Sequence, residues 1–314
     1  MNFQAFARDG LILSSVVNSI EPQSRALRRA VDVGSLVKLR RGAYVERSVW
    51  EQLDARSKHV LRIRSVIEMA HRDAIVAGFS AAALWGMPIA GEWPVEVTIL
   101  DEWLGGGRSE PGVRRTAAGF RDAGCLDLGG VKVTTLARTA LDIARGRSLD
   151  DAIGSVDWAR WRRNEHAVSL EELTAEVFKV PPRNGRAHLS RVVNFSTSLS
   201  DSFGESECRA VIAQLGFEVP LLQVPFRDAE GQMEPDFYWP GVRIAGEFDG
   251  FVKYSRTEYT KGDPSAVVWR EKKREDRLRR CGVGVVRILT TDVKNPSRLE
   301  RLLVEAGVPR SGGR

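Results

Sequence analysis

The chain contains 314 residues, of which 43% are hydrophobic and 28% are charged, and its net charge is +6 at neutral pH. This length favours two or three folded units, and the composition is that of a folded protein with a core. No stretch approaches the roughly 18 apolar residues of a membrane helix, and the first residues lack the segments of a signal peptide, so we expect neither a membrane span nor secretion.

Cysteine and histidine usage indicates the compartment and argues against one kind of metal site. The cysteines are odd in number and far apart, and the histidines are scattered without metal-ligand spacing. We therefore predict a cytoplasmic protein in a reducing environment and no zinc site. The pI near 9.4 is compatible with nucleic acid as a partner, although many basic proteins bind nothing anionic.

The N-terminal residues predict a small helical unit. Met1–Val17 is expected to be a helix that is interrupted or ended near Gly10. Ser19 and Pro22 are start signals for a second helix, and Gly34 is a stop signal for it.

A short hairpin is predicted directly after this helix. Leu36–Leu39 and Ala43–Val45 have the composition of strands, and the turn between them contains Arg40, Arg41 and Gly42. A helix, a turn, a basic helix and a basic hairpin follow the plan of a winged helix-turn-helix, in which the second helix enters the major groove and the wing contacts phosphates. The candidate DNA-binding residues are Arg25, Arg28, Arg29, Lys38, Arg40 and Arg41. The alternative is that these cations are simply solvated.

This region resembles a known family. The segments Leu27–Val31 and Gly34–Val45 are similar to the winged-helix domain of AbiEi-type antitoxins, and Ser80–Pro88 resembles a segment that follows it in that group. The resemblance implies a bacterial protein that binds double-stranded DNA, represses its own operon and has a toxin protein as a partner.

The middle region, residues 61–180, predicts an α/β unit without a catalytic constellation. It contains a helix from Arg56 to His71, a short helix capped by Ser80, and a helix capped by Thr135. Gly105–Gly107 is interpreted as a loop, because no Gly-Lys-Ser/Thr follows it. The triplet His71-Arg72-Asp73 matches the kinase catalytic triplet only by accident, because no Gly-rich loop or Asp-Phe-Gly stands in the right order.

The C-terminal region follows a break at Pro181–Gly185 and a connecting helix from Arg186 to Leu199. It predicts the order α-β-β-β-α-β and hence a mixed sheet with helices on its faces. The expected elements are a helix opened by Ser202, strands at Leu221–Phe226, Gln232–Tyr238 and Val242–Asp249, a basic helix at Arg270–Arg280 and a buried strand at Val283–Ile288.

Acidic residues at the ends of these strands suggest a cation site. Glu247 and Asp249 share one face of their strand, and Asp236 lies on the neighbouring strand. Carboxylates near a sheet interior are costly unless they are paired or metal-bound, and Mg²⁺ prefers such oxygen ligands. Glu205 has two open interpretations: part of a capping box with Ser202, or a side chain that reaches the metal site.

The region from about 202 to 293 resembles the PD-(D/E)XK nuclease superfamily near the very-short-patch repair endonucleases. The matching elements are Ser-x-Gly-Glu-Ser ending at Ser206, Pro235–Phe237, Glu247–Gly250, the Glu271–Gly282 pattern and Val286–Arg287. The resemblance implies that Asp236 and Glu247 hold Mg²⁺ or Mn²⁺ and that Glu205 supports them. The position of the superfamily lysine is Asp249 here, and Lys253, Lys272 or Lys273 could substitute for it.

The combined prediction is an α/β protein, α+β overall, in four parts. These are a winged helix-turn-helix at 1–60, an α/β middle domain of the AbiEi-like type at 61–180, a connecting segment at 181–201 and a restriction-endonuclease-like mixed sheet flanked by helices at 202–314. The predicted function is DNA binding with a Mg²⁺-dependent endonuclease activity, whose site residues are Glu205, Asp236, Glu247, Asp249 and Lys253. The alternative is a non-catalytic antitoxin and transcriptional autorepressor.

Overall fold

The computed structural model describes residues 7–20, 24–69, 74–101, 110–116, 123–179, 185–250 and 273–312. The chain is a mixed α/β protein with two compact units, and no described helix is long and apolar enough to cross a membrane. The first unit comprises Met1–Arg145 with Val168–Ser190, and the second comprises Gly146–Ala167 with Arg191–Arg314. The predicted limits at residues 60, 180 and 201 stay predictions.

The first unit begins with an antiparallel sheet in the order β1-β2-β4-β3. Leu27, Ala30 and Leu36 pack with Ile12 and Val17 in its core. The elements are β1 (Ala7–Arg8), β2 (Leu11–Leu13), α1 (Ser14–Ile20), α2 (Ser24–Asp32), β3 (Leu36–Arg40), β4 (Ala43–Glu46), α3 (Arg47–Gln52) and α4 (Ala55–Ile67).

The expected helix over Met1–Val17 is wrong for residues 7–13, which form a β-hairpin. Asp9 and Gly10 have φ values of 49° and 81°, and the flanking residues Arg8 and Leu11 pair across the strands. Two successive left-handed residues make the tight turn for which Asp-Gly is a strong signal. The basic helix before Gly34 and the hairpin around Gly42 are confirmed.

A second, mixed sheet in the first unit has the order β7-β6-β5-β9-β8. Its core includes Ile63, Val76, Ile99 and Val133. The elements are β5 (Ile75–Val76), α5 (Gly78–Trp85), β6 (Val97–Leu100), β7 (Val113–Thr116), β8 (Cys125–Asp127), β9 (Lys132–Thr134), α6 (Leu136–Ala144) and α8 (Leu170–Lys179).

The helix-cap predictions in this region had different outcomes. Thr135 caps α6, accepting a hydrogen bond from the Arg138 backbone N–H at 3.3 Å. Ser80 does not cap α5, because the helix already begins at Gly78, and its buried hydroxyl instead accepts a hydrogen bond from the Thr98 N–H at 2.9 Å. Gly105–Gly107 and the His71 triplet lie outside the described residues.

The second unit contains a mixed sheet in the order β10-β13-β14-β15, in which only the β14–β15 pair is parallel. Phe217, Phe237, Trp239, Phe248 and Ile288 form its core with residues of α10. The strands are β10 (Leu221–Leu222), β11 (Phe226–Asp228), β12 (Gly231–Met233), β13 (Phe237–Trp239), β14 (Ile244–Asp249) and β15 (Gly284–Leu289). The helices are α7 (Leu149–Arg160), α9 (Arg186–Phe195, which continues from the first unit), α10 (Phe203–Gln214), α11 (described over 273–280), α12 (Thr290–Val293) and α13 (Pro296–Ala306).

Two of the strands expected here are each divided in two. Within Leu221–Phe226, Gln223 has a φ of 52°, a left-handed conformation that interrupts an extended strand. Within Gln232–Tyr238 the break includes Pro235, which has no N–H to donate to a ladder. The resulting β11–β12 hairpin is a separate two-stranded sheet.

Candidate nucleic-acid surface and acidic site

Helix α2 presents a basic outer face. Leu27 and Ala30 are buried, whereas Arg25, Arg28 and Arg29 are exposed. The arginines are spaced by three and four residues, so they lie on one side of the helix. No carboxylate of the described residues lies within ion-pair distance of them. These three cations are therefore available to an anionic partner.

The β3–β4 hairpin adds two further exposed cations, Lys38 and Arg41. Arg40 differs from them, because it is half-buried and forms an ion pair with Glu110. Burial, followed by the nearby charge of Arg115, lowers the pKa of Arg40. We define the basic surface as Arg25, Arg28, Arg29, Lys38 and Arg41, and Arg40 instead joins the hairpin to the segment that precedes β7.

In the second unit, strand pairing makes two predicted acidic residues neighbours. Phe237 pairs with Gly246 in the antiparallel β13–β14 ladder, so the next register positions are occupied by Asp236 and Glu247. The Asp236 Oδ2 atom accepts a hydrogen bond from the Phe248 backbone N–H at 2.8 Å. This bond holds the Asp236 carboxylate against β14.

Glu205 lies in the first turn of α10, whose N-cap is Ser202, and is close enough to Asp236 to sense its charge. Its Oε1 atom accepts a hydrogen bond from the Ser202 hydroxyl at 2.8 Å, and its Oε2 atom accepts one from the Asp201 N–H at 2.9 Å. Burial, followed by the charge of Asp236, raises the pKa of Glu205 to about 7. These hydrogen bonds place Glu205 at the capped start of α10, and its reach to a metal site stays a prediction.

Gly204 allows this approach of α10 to the sheet. A Cβ atom at Gly204 would overlap the ring of Phe248 on β14. Because Glu205 follows directly in the same helical turn, the contact between Gly204 and Phe248 sets the position of its backbone near the acidic end of β14. Close packing against Phe248 thus explains why the Ser-x-Gly-Glu motif has a glycine at this position.

Both acidic residues of β14 are paired with arginines. Glu247 lies 3.4 Å from Arg274 of α11, and Asp249 lies 2.9 Å from Arg287 of β15. Arg287 also lies 3.5 Å from Glu275. Arg274 and Arg287 belong to the motifs quoted from the sequence, but no role was predicted for either. The signal for a role of Arg287 is its position as a charged residue inside the apolar run of β15.

The candidate lysines do not complete a site in the part of the chain that the structure describes. Lys253 and Lys272 lie outside the described residues, and Lys273 forms an ion pair with Glu230 at 2.6 Å. Among the described residues, no three His, Cys, Asp or Glu side chains are grouped as metal ligands. The carboxylates of Asp236 and Glu247, at adjacent register positions, are of the chemical kind that a hard divalent cation takes as ligands, and a cation there would compete with Arg274 for Glu247.

Comparison with known proteins gives relatives without an assigned activity. The chain is 29% identical over 222 residues to the uncharacterized proteins MT2308 and Rv2248 from two strains of Mycobacterium tuberculosis, covering 70% of this chain and 76% of each relative. No family model matches. The crystal structure of the RV2827C protein from the same species is 17% identical, with a TM-score of 0.36 over 58% of this chain and 72% of that one.

Proposed function

We propose that the protein binds double-stranded DNA through its basic surface and that its second unit is a metal-dependent endonuclease. The observation that carries the DNA-binding part is the exposure of Arg25, Arg28 and Arg29 on one side of α2, beside a hairpin with Lys38 and Arg41 exposed. In this proposal the first four-stranded sheet with α1 and α2 is a winged helix-turn-helix. Helix α2 enters the major groove, and the hairpin contacts phosphates as its wing.

The nuclease part is supported by the juxtaposition of Glu205, Asp236 and Glu247. Asp236 and Glu247 would hold Mg²⁺ or Mn²⁺, as their adjacent register positions allow. When bound, the metal would polarise the phosphodiester and lower the pKa of an attacking water. Glu205, which lies near Asp236, would accept the proton of that water; as the new P–O bond forms, the bond from phosphorus to the leaving oxygen breaks, and that oxygen takes up a proton from solvent.

Cleavage of supercoiled plasmid DNA with Mg²⁺ or Mn²⁺ tests the nuclease part. The wild type is expected to nick the plasmid, and Asp236→Asn and Glu247→Gln are expected to lose at least about a hundredfold of that rate, since each removes a metal ligand. Glu305→Gln, which changes an exposed carboxylate of α13, serves as the matched control. Absence of cleavage with either metal would sink the nuclease proposal and leave the DNA-binding proposal intact.

A second candidate function is a non-catalytic antitoxin and autorepressor of the AbiEi-like type. The observation that favours it is the ion pair between Asp249 and Arg287, since the residue at the superfamily lysine position is an acid held by an arginine. In this case the second unit contributes to binding only, and the partner is a toxin protein. Tight binding to the protein's own promoter without plasmid cleavage, together with a nucleotidyltransferase-like toxin gene next to its own, would support this function over the first.

A further inference from the structure

A cavity of about 670 Å³ lies in the first unit, and none of its lining residues belongs to the basic surface. Its walls come from β2, α1, α3, α4, α5 and the loop 128–131. A volume of this size lies within the range of about 300 to 1,000 Å³ that is typical of small-molecule sites. Nothing in the proposed DNA chemistry uses it.

The cavity is lined by both aliphatic and charged side chains. Leu13, Val16, Ile67, Leu84 and Val131 line it and are each only partly buried. Val16 is absent from the apolar core clusters of the described residues. Aliphatic surface of this kind favours a ligand with an apolar body, because covering it removes apolar area from water.

The charged side chains of the cavity lie along α4 and its end, except for Asp9 in the β1–β2 turn. Arg64 is compensated by Asp9, whose carboxylate lies 2.8 Å away. Arg56 has no carboxylate of the described residues within ion-pair distance, and its Nη1 atom donates a hydrogen bond to the Ala83 carbonyl at 3.2 Å. The nearby Asp54 carboxylate is occupied in capping α4, where it accepts a hydrogen bond from the Ser57 N–H at 2.7 Å.

Glu68, the other acidic residue of the lining, is separated from Arg56 by twelve positions. At a rise of about 1.5 Å per residue, the two lie about 18 Å apart along the direction of α4. The cavity therefore has, toward its Arg56 end, a cation that forms no ion pair with a described carboxylate and whose charge, after the hydrogen bond from the Ser57 N–H, helps to lower the pKa of the nearby Asp54, with aliphatic walls beyond it. This polarity fits a ligand with an anionic head and an apolar tail.

We infer that the cavity is a binding site for a small amphipathic carboxylate, such as a medium-chain aliphatic acid. Arg56 receives the carboxylate, and the aliphatic walls around Val16 cover the chain of the ligand. The site belongs to the first unit and requires neither DNA nor a metal.

Titration of the full chain with decanoate, without DNA, tests this inference by calorimetry and thermal melting. Saturable one-to-one binding and a higher Tm are expected, because a ligand that binds only the folded state stabilises it. Decyltrimethylammonium, which has the same tail and the opposite charge, is expected to bind at least about tenfold more weakly, given the strength of hydrogen bonds to charged groups.

Three variants localise the binding. Arg56→Gln removes the positive charge and keeps a polar side chain, and it is expected to weaken decanoate binding about tenfold while leaving binding of uncharged 1-decanol unchanged. Val16→Phe fills the cavity and is expected to abolish binding of both compounds. Arg62→Gln on the same helix, where Arg62 lies over Trp50 and does not line the cavity, is the matched control.

Unchanged decanoate binding in both Arg56→Gln and Val16→Phe would overturn the inference, as would non-saturable binding to the wild type. A melting curve of each variant without ligand establishes that it is folded. Binding of 1-decanol reports on the apolar part of the cavity alone. A variant that loses decanoate binding but keeps 1-decanol binding has lost the contact with the anion, whereas a misfolded variant loses both.

Discussion

Arg209 of α10 and Asp157 of α7 form a buried ion pair between residues 52 positions apart, with Nη2 3.0 Å from Oδ2. Both side chains have further partners. The Asp157 Oδ1 atom accepts a hydrogen bond from the Thr197 N–H at 2.7 Å, and the Arg209 Nη1 atom donates one to the Phe195 carbonyl at 2.9 Å. The pair therefore joins α7, α10 and the end of α9 within the second unit.

Breaking this pair on one side is expected to destabilise the second unit strongly. Arg209→Leu leaves the Asp157 carboxylate buried without its cation, so we expect a loss of about 3 to 5 kcal/mol in the free energy of unfolding. Urea denaturation measures it. The double variant Asp157→Leu with Arg209→Leu should lose much less than the sum of the two single variants, because no unpaired charge remains. Additive losses would show that the pair is not coupled.

Gly204→Ala is expected to move α10 away from β14. The added methyl group overlaps the Phe248 ring, and such overpacking costs about 1 to 3 kcal/mol. Gly241→Ala is the matched control, since a Cβ atom added at Gly241 would meet no atom within 4 Å. Combining Gly204→Ala with Phe248→Leu should recover part of the loss, and a full loss in the combination would contradict the contact.

The pKa of Glu205 is expected to depend on Asp236. Burial and the Asp236 charge raise it to about 7, so Asp236→Asn should lower it, as measured by carboxyl ¹³C chemical shifts against pH. In the wild type, the folded state keeps a proton on Glu205 that the unfolded state releases above about pH 4.5. The stability that protonated Glu205 contributes is therefore lost as the pH rises from about 4.5 to about 7. An unchanged Glu205 pKa in Asp236→Asn would show that the two carboxyls do not interact.

His59 is expected to give the opposite pH dependence in the first unit. It is fully buried, its Nε2 atom lies 3.0 Å from the Ser80 hydroxyl, and burial followed by the charge of Arg62 lowers its pKa from 6.5 to about 4. The unfolded state binds the proton more readily, so stability falls as the pH drops from about 6.5 to about 4, by up to about 3 kcal/mol.

The His59 contribution is measured as a difference between variants, because other groups titrate in the same range. Urea unfolding of the wild type and of His59→Gln is compared at about pH 7.5 and about pH 5. The wild type should lose more stability than His59→Gln over this interval. Equal losses would mean that His59 titrates normally in the folded state.

The basic surface is expected to bind duplex DNA through phosphate contacts. Arg28→Gln should weaken binding of a mixed-sequence duplex and reduce the slope of log affinity against log salt by about one, because each neutralised phosphate releases counterions. Fluorescence anisotropy between about 50 and about 200 mM salt measures both quantities. Arg191→Gln, at an exposed position of α9 in the second unit, is the control. An affinity that does not change with salt would refute phosphate binding.

Local signals in the sequence determined several elements of the first unit. The glycine at position 42 determined the hairpin turn, Thr135 determined the start of α6, and apolar spacing determined which side of α2 is buried. Each of these depends on a few neighbouring residues, whose backbone preferences and hydrogen bonds operate within one turn. The Asp9-Gly10 pair is a local signal of the same kind for the β1–β2 hairpin, but the apolar residues around it favoured the prediction of a helix.

Only the tertiary structure decided what surrounds the acidic residues of β14. Arg287 reaches Asp249 because β15 pairs in parallel with β14 after an intervening helix, and no spacing in the sequence specifies that register. The electrostatic interaction between Glu205 and Asp236 likewise requires α10 to pack on the sheet at Gly204. The sequence by itself thus determined which carboxylates are present and on which strands, whereas long-range packing decided which of them meet an arginine and which meet each other, because Coulomb interactions depend on distances that only the folded chain sets.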